Sequence, residues 1–317
     1  MQKLYYQSRE HGLAIACHLD MEINSIYIIR EIPENRDHLE NHLAGIWQQL
    51  LTLYITKIKA WQFREEQMKN RISHLCRQCF EAEGQYHIFY TGYNRDYPAL
   101  GKPSQVLMHA YSDDLVTWHK TQDALTFTPQ EGYDPDDWRD PWVIRDEEND
   151  QYLLVLGTRL QGPKTRQTGR TVKFTSKDLK NWKFEGDFWA PDLYTMHEMP
   201  DLFKIGDWWY HIVTEYSDRS KMVYRMSKSL EGPWIAPKDD AFDGRSYYAG
   251  RTFELNGQRI LFGWVATKDQ DDDDNNFIVA GTFMAHEVYQ REDGTLGVRI
   301  RKLYGMHLIK KKKQKIL

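Results

Sequence analysis

The chain has 317 residues, a formal net charge of −4 and a heavy aromatic load of 11 Trp, 19 Tyr and 13 Phe. That length suits one large core or two modest ones, and a mildly acidic chain without a Gly-rich phosphate loop gives no footing for nucleic acid or nucleotides. With no apolar run of about 18 residues and no secretory h-region, neither a membrane span nor export is expected, and the chain reads as cytoplasmic.

In chain order, residues 1–79 are the least regular part. They hold only Gly12 and Gly45 of the chain's 20 glycines, together with Cys17, Cys76 and Cys79, its three cysteines. Cys76 and Cys79 make a lone C-x-x-C, two ligands short of a zinc site, so no metal and no cofactor is expected. Leu50 to Met68 has helical potential, but its apolar residues fit no clean stripe.

From about residue 84 a unit repeats: an aromatic and β-branched strand, a loop, a second strand, then a Ser-x-x-Leu-x-x-Trp corner. The corners are Ser112 to Trp118, Ser176 to Trp182 and, with one extra residue, Ser227 to Trp234. Their spacing of roughly 50 to 65 residues is near that of kelch-type blades. The strands Tyr86–Tyr90, Tyr152–Leu156, Trp208–Val213 and Arg259–Trp264 carry the repeat through four blades. Such units predict an all-β fold, a β-propeller whose radial closure leaves only short sheet edges. Five blades match the length, which puts the first within residues 1–79, where propeller-type glycine turns are missing.

Reading each third codon base with the next two bases, from Glu10 onward, permits AWLGDCMPFGHGDKFYIYYQRDTR, in which GDKFYIYYQRDTR parallels Gly84 to Arg95. The same offset at Lys302 turns the basic tail into QAVWNAFDKEKEAENS. The expected organisation is therefore an aberrant, frameshifted segment at 1–79 in place of blade one, propeller blades two to five at 80–301, and a frameshifted basic tail at 302–317. The acidic run Asp271 to Asp274 lacks the ligand spacing and glycine turn of a calcium loop and reads as a solvated loop.

Two motifs carry chemistry. Trp138-Arg139-Asp140-Pro141 and His197-Glu198-Met199-Pro200-Asp201-Leu202-Phe203 each set an acid among aromatic and apolar residues at the start of a strand-like run. With Ile260-Leu261-Phe262-Gly263-Trp264 in blade register, residues 84 to 300 resemble glycoside hydrolase family 32, the invertase and fructanase group, and its sister families of five-bladed furanosidases. The resemblance implies retaining hydrolysis of a β-fructofuranoside or similar furanoside by three carboxylates. It makes Glu198 the general acid/base, its pKa raised by Met196, Met199 and Leu202. Asp140 becomes the acid that binds sugar hydroxyls and stabilises the transition state, and Arg139 holds Asp140 ionised or binds substrate oxygens. Tyr93, His197, Tyr247 and Trp264 are candidates for sugar contact and, equally, for core packing.

The family's nucleophile, an Asp of blade one, has no counterpart in the chain as written; in the shifted reading it is the Asp of AWLGDCMPF, whose codon straddles Ala14 and Ile15. The polypeptide is therefore expected to be inactive as written. Met199 where the family usually has Cys, and Ser246 where fructosidases tend to carry Asp, leave the exact sugar open. The alternatives are a non-catalytic carbohydrate-binding propeller, or an inverting arabinan- or xylan-type glycosidase whose carboxylates stand about 6.5 to 9.5 Å apart. No C-terminal β-sandwich is expected, and the partner is a small carbohydrate.

Overall fold

The computed structural model describes residues 73–121, 127–216, 221–242, 247–255, 257–271 and 277–299. Within residues 1–72 it describes two short antiparallel pairings: β1 (Ala14–Ile15) with β4 (Ile28–Ile29), and β2 (His18–Leu19) with β3 (Asn24–Ser25). Most of the expected first blade, the tail at 302–317, Ser246 and Asp272 to Asp274 lie outside the described residues.

Packing divides the chain into two units, residues 49–241 and residues 1–48 with 242–317. The first unit holds three sheets. One runs β5 (Ser73–Ala82), β6 (Gln85–Tyr93), β7 (Gln105–Ser112), β8 (His119–Lys120). The next runs β9 (Tyr133–Asp146), β10 (Gln151–Leu160), β11 (Gly169–Ser176), β12 (Trp182–Trp189). The third runs β13 (Met196–Ile205), β14 (Trp208–Tyr216), β15 (Lys221–Ser227). Its outer strand is reduced to isolated bridges, Met226 with Ile235 and Val223 with Ala241, where Pro233 and Pro237 remove ladder donors. In the second unit β16 (Tyr247–Leu255), β17 (Gln258–Lys268), β18 (Phe277–Gln290) and β19 (Leu296–Arg299) form a fourth sheet. Each of these four sheets is an antiparallel meander, and the architecture is an all-β propeller with four of its blades described.

The Ser-x-x-Leu-x-x-Trp corner is a hydrogen-bonded turn with a defined chemistry. Asp114 Oδ1 accepts from Val116 N and Thr117 N at 2.7 Å each, and Leu115 takes φ 61°. Asp178 does the same for Lys180 N at 2.9 Å and Asn181 N at 2.7 Å, with Leu179 at φ 60°. The third corner has Ser229 in place of the Asp; its hydroxyl accepts only from Glu231 N, at 3.2 Å, and Gly232 takes the positive φ. That substitution accounts for its extra residue.

Strand β10 shows why the middle blades read as near-continuous apolar runs. Leu154 and Leu156 face Phe89, Leu107, Trp138 and Phe174, while Leu153 and Val155 face Leu202, Trp209 and Leu230. A strand covered on both faces has no polar side to alternate with. Where β10 crosses β13, Gly157 passes so close that a Cβ there would lie 1.9 Å from His197 O. The obstacle is backbone, and it belongs to the residue before Glu198. We expect Gly157→Ala to cost about 1–3 kcal/mol by overpacking, read as a melting temperature several degrees lower; an unchanged melting temperature would show that β13 can move.

The innermost strands share a feature that sequence pattern did not show. Each carries a bulge near the same register: at Cys76 in β5, at Asp140 and Pro141 in β9, at Met199 and Pro200 in β13, and at Ala249 and Gly250 in β16. Asp140, Met199 and Ala249 sit at φ 65°, 52° and 52°, a left-handed conformation rare for such residues. Bulges re-aim side chains and free an N–H from the ladder. Two of those amides reach the preceding blade: Asp140 N donates to Thr91 Oγ1 at 3.1 Å, and Met199 N to Asp140 Oδ2 at 3.0 Å.

Two residues past the bulge, a polar side chain caps the next blade's inner edge. Gln78 Nε2 donates to Val143 O at 2.8 Å while Gln78 Oε1 accepts from Val143 N at 2.5 Å, and Trp142 Nε1 donates to Leu202 O at 3.1 Å. The first described sheet opens on β5 from Ser73, within which Gln78 supplies this cap and Phe80 stacks on His87 and Phe89. Gln78→Leu would leave a buried N–H and C=O unpaired, a loss of about 2 kcal/mol or more, measurable by denaturant unfolding; a loss within error would mean the pairing carries no weight.

Candidate active site

The bulges in β9 and β13 bring the two motifs together. Asp140 and Glu198 are both buried, and the N–H that immediately follows Glu198, on Met199, donates to Asp140. Arg139 lies between the acids. Its Nη2 donates to Glu198 Oε1 at 2.5 Å, its Nε stands 3.8 Å from Asp140 Oδ2, and its Nη1 donates to Asp137 Oδ1 at 2.6 Å. One guanidinium therefore serves three carboxylates, held in place by its rigid planar fork of donors.

Burial pushes the Glu198 carboxyl above the ordinary glutamate range; Arg139 opposes that shift, and Asp140 and Asp137 reinforce it. Sequence reasoning expected the rise from apolar neighbours, and the charges of the two aspartates add to it. Burial also works to raise Asp137, but Arg139, Arg159 and Lys164 outweigh it and hold Asp137 at about 2. The same carboxylates raise Arg139, which stays charged although it is buried.

Behind Arg139 is a second layer of charge. Arg159 Nε donates to Asp137 Oδ2 at 2.6 Å, its Nη2 pairs with Asp134, and its Nη1 donates to Leu160 O and Gly162 O at 3.1 and 2.9 Å. Lys164 Nζ, on the loop between β10 and β11, stands 3.1 Å from Asp137 Oδ2. Gln105 Oε1 accepts from Trp138 N at 2.9 Å and lies 3.5 Å from Arg139 Nη1. Sequence reasoning missed Asp134, Asp137, Gln105 and Arg159. The signal was there for Asp137: it stands two residues before Arg139 on a strand, hence on the same face.

The expected sugar contacts fall into different settings. Tyr93 ends β6 half-buried, opposite Gln105. His197 is fully buried: Nδ1 lies 3.1 Å from Thr171 Oγ1, Nε2 lies 3.1 Å from Leu193 O, and the ring packs 4.5 Å from that of Trp189. Alternation along β13 turns it away from the Glu198 side, and burial holds it neutral, near 3. These contacts brace β13. Tyr247 and Trp264 are described within the fourth sheet alone. There Tyr247 is buried with its hydroxyl donating to Met284 O at 3.1 Å, and Trp264 is half-buried with its ring 4.9 Å from Tyr248.

Among the described residues no group of three or more His, Cys, Asp or Glu side chains is placed to hold a metal ion. No helix among them is long and apolar enough to cross a membrane. The chemistry on offer is that of carboxylates: a buried acid with a raised pKa beside a second carboxylate, oriented by one arginine.

Comparison with known proteins agrees with this geometry. Residues 63–287 match the family described as "Glycosyl hydrolases family 32 N-terminal domain". The chain is 28% identical over 212 residues to a sucrose-6-phosphate hydrolase of Klebsiella pneumoniae, covering 61% of this chain and 43% of that protein. It is 29% identical over 208 residues to the sucrose-6-phosphate hydrolase of Bacillus subtilis, covering 59% and 40%. The chain thus spans less than half the length of these relatives. Among solved structures, the Bombyx mori family 32 β-fructofuranosidase BmSUC1 superposes with a TM-score of 0.55 at 19% identity, covering 73% of this chain and 51% of that one. Fructan 1-exohydrolase IIa of Cichorium intybus gives 0.55 at 16% identity, covering 73% and 47%. These likenesses show the fold.

Proposed function

The chain belongs to glycosyl hydrolase family 32, and on that premise we propose that its site is built for retaining hydrolysis of a β-fructofuranoside such as sucrose or its 6-phosphate. The observation that carries the proposal is Glu198: buried, raised in pKa, held by Arg139 and beside Asp140. A glycosidic oxygen leaves as a poor alkoxide unless it is protonated, and an acid whose raised pKa lets it keep its proton to higher pH supplies it. In a retaining enzyme a second carboxylate attacks the anomeric carbon from the opposite face, and the same acid, now a base, draws a proton from the water that hydrolyses the ester.

Asp140 binds the sugar hydroxyls and stabilises the positive charge that develops on the ring. Its oxygens are oriented by the Met199 amide and by Arg139, so sugar binding need not reorganise them. The nucleophile is the Asp of the shifted reading of residues 10–79, and the polypeptide as written lacks it and is inactive. Restoring that frame and assaying sucrose, sucrose 6-phosphate, a fructan and an arabinan oligosaccharide tests the reading. Turnover of one of the fructosides supports it; turnover of the arabinan alone, or sugar binding without turnover, overturns it.

A further inference from the structure

The acid site is the centre of a seven-member charge cluster: Asp134, Asp137, Asp140 and Glu198 against Arg139, Arg159 and Lys164. Among the described residues four carboxylates here face three cations. Asp137 is the joint between its halves, with Oδ1 on Arg139 and Oδ2 on both Arg159 and Lys164. The side chains of Asp137 and Arg159 are 11% and 7% exposed, so solvent screens these contacts weakly, whereas Lys164 is 56% exposed at the outer end.

We propose that Asp137 is a positioning residue for the acid site: it draws one edge of the Arg139 guanidinium away from Glu198 and joins the acid, through that arginine, to Arg159 and Lys164 at the mouth of the β10–β11 loop. The inference rests on Glu198 being the general acid. It assigns Asp137 the task of keeping Glu198 protonated. With Asp137 ionised, Arg139 is divided among three carboxylates and a like charge stands near Glu198. With Asp137 neutral, that like charge is gone and Arg139 favours the ionised form of Glu198 more strongly. The charged groups facing Glu198 from the neighbouring strand β9 are Arg139, Asp140 and Asp137. On β14 the residue opposite Glu198 is Thr214, while Glu215 stands opposite His197, on the other face.

The test is a carboxyl titration of the full chain, which requires no turnover. With glutamate labelled at the side-chain carboxyl carbon, the Glu198 resonance is identified by its loss in Glu198→Gln, and its titration midpoint is followed by NMR. Asp137→Asn is expected to lower the midpoint by about one pH unit or more, in line with removing a like charge and strengthening an opposite one. Asp137→Glu should restore most of the shift. Lys164→Met, a change at an exposed side chain, should move the midpoint the other way by a smaller amount. A folded Asp137→Asn protein with an unchanged midpoint overturns the proposal; should that variant not fold, an unchanged midpoint in Lys164→Met overturns it. A merely structural Asp137 would alter stability and leave both midpoints in place. Failure of a frame-restored chain to turn over fructosides would instead count against the proposed reaction and leave this titration standing.

Discussion

A chain whose residues 10–79 are replaced by the shifted reading, with its G-D-C-M-P-F motif, is expected to release fructose from sucrose on the order of 10⁴-fold or more faster than the chain as written. The reason is chemical rather than architectural. The acid side of the site is assembled: Glu198 is buried and clamped, Asp140 is oriented by two blades, and Arg139 connects them. Protonation of a leaving group without a carboxylate to trap the oxocarbenium-like carbon leaves water to act as the nucleophile. The measurement is initial-rate fructose release by both polypeptides at equal concentration, with circular dichroism to show that each is folded. Equal rates from two folded proteins would remove blade one from the mechanism.

The second large effect belongs to Glu198→Gln in that restored chain. Rates on sucrose are expected to fall by about 10²–10⁴-fold, the usual contribution of a positioned general acid. A β-fructofuranosyl fluoride, whose leaving group needs no proton, should lose far less in its first turnover, fluoride release ahead of the base-assisted hydrolysis of the ester. The pH dependence should change with it. In the proposed mechanism Glu198 works in its protonated form, and since its pKa is raised, activity in the unmodified site should be lost as pH climbs through that raised value; the glutamine variant should lack this limb. Equal losses on sucrose and on the fluoride would mean that Glu198 acts on something other than the leaving group.

How much of this was legible in the sequence differs from one residue to the next. Blades were legible because each repeats a local device: a strand covered on both faces reads as an apolar run, as in β10, and each corner is closed by an Asp or Ser that hydrogen-bonds the turn it begins. Asp140 and Glu198 were legible because each precedes or occupies a bulge ending in proline, and the family writes that bulge into a motif. The bulge itself was not legible. A positive φ at Asp140, Met199 and Ala249 is imposed by packing around the inner strand, with only Gly250 or a following proline as a local trace. Of the two readings open for His197, the structure displays the packing one. Its place next to Glu198 in sequence suggests the same site, yet neighbours on a strand face opposite ways, and the ring serves the blade interface with Thr171 and Trp189. The charge network was the least visible part, since Arg159 reaches Asp134 and Asp137 from another strand and only the fold brings them together.

The central claim is that Glu198 and a blade-one carboxylate act on opposite faces of a fructofuranosyl ring, with Asp140 beside them. The most direct test is the anomer first released from sucrose by the frame-restored chain, followed by NMR before mutarotation sets in. The arrangement predicts β-fructofuranose, the product of two displacements with net retention; α-fructofuranose as the first product would contradict it.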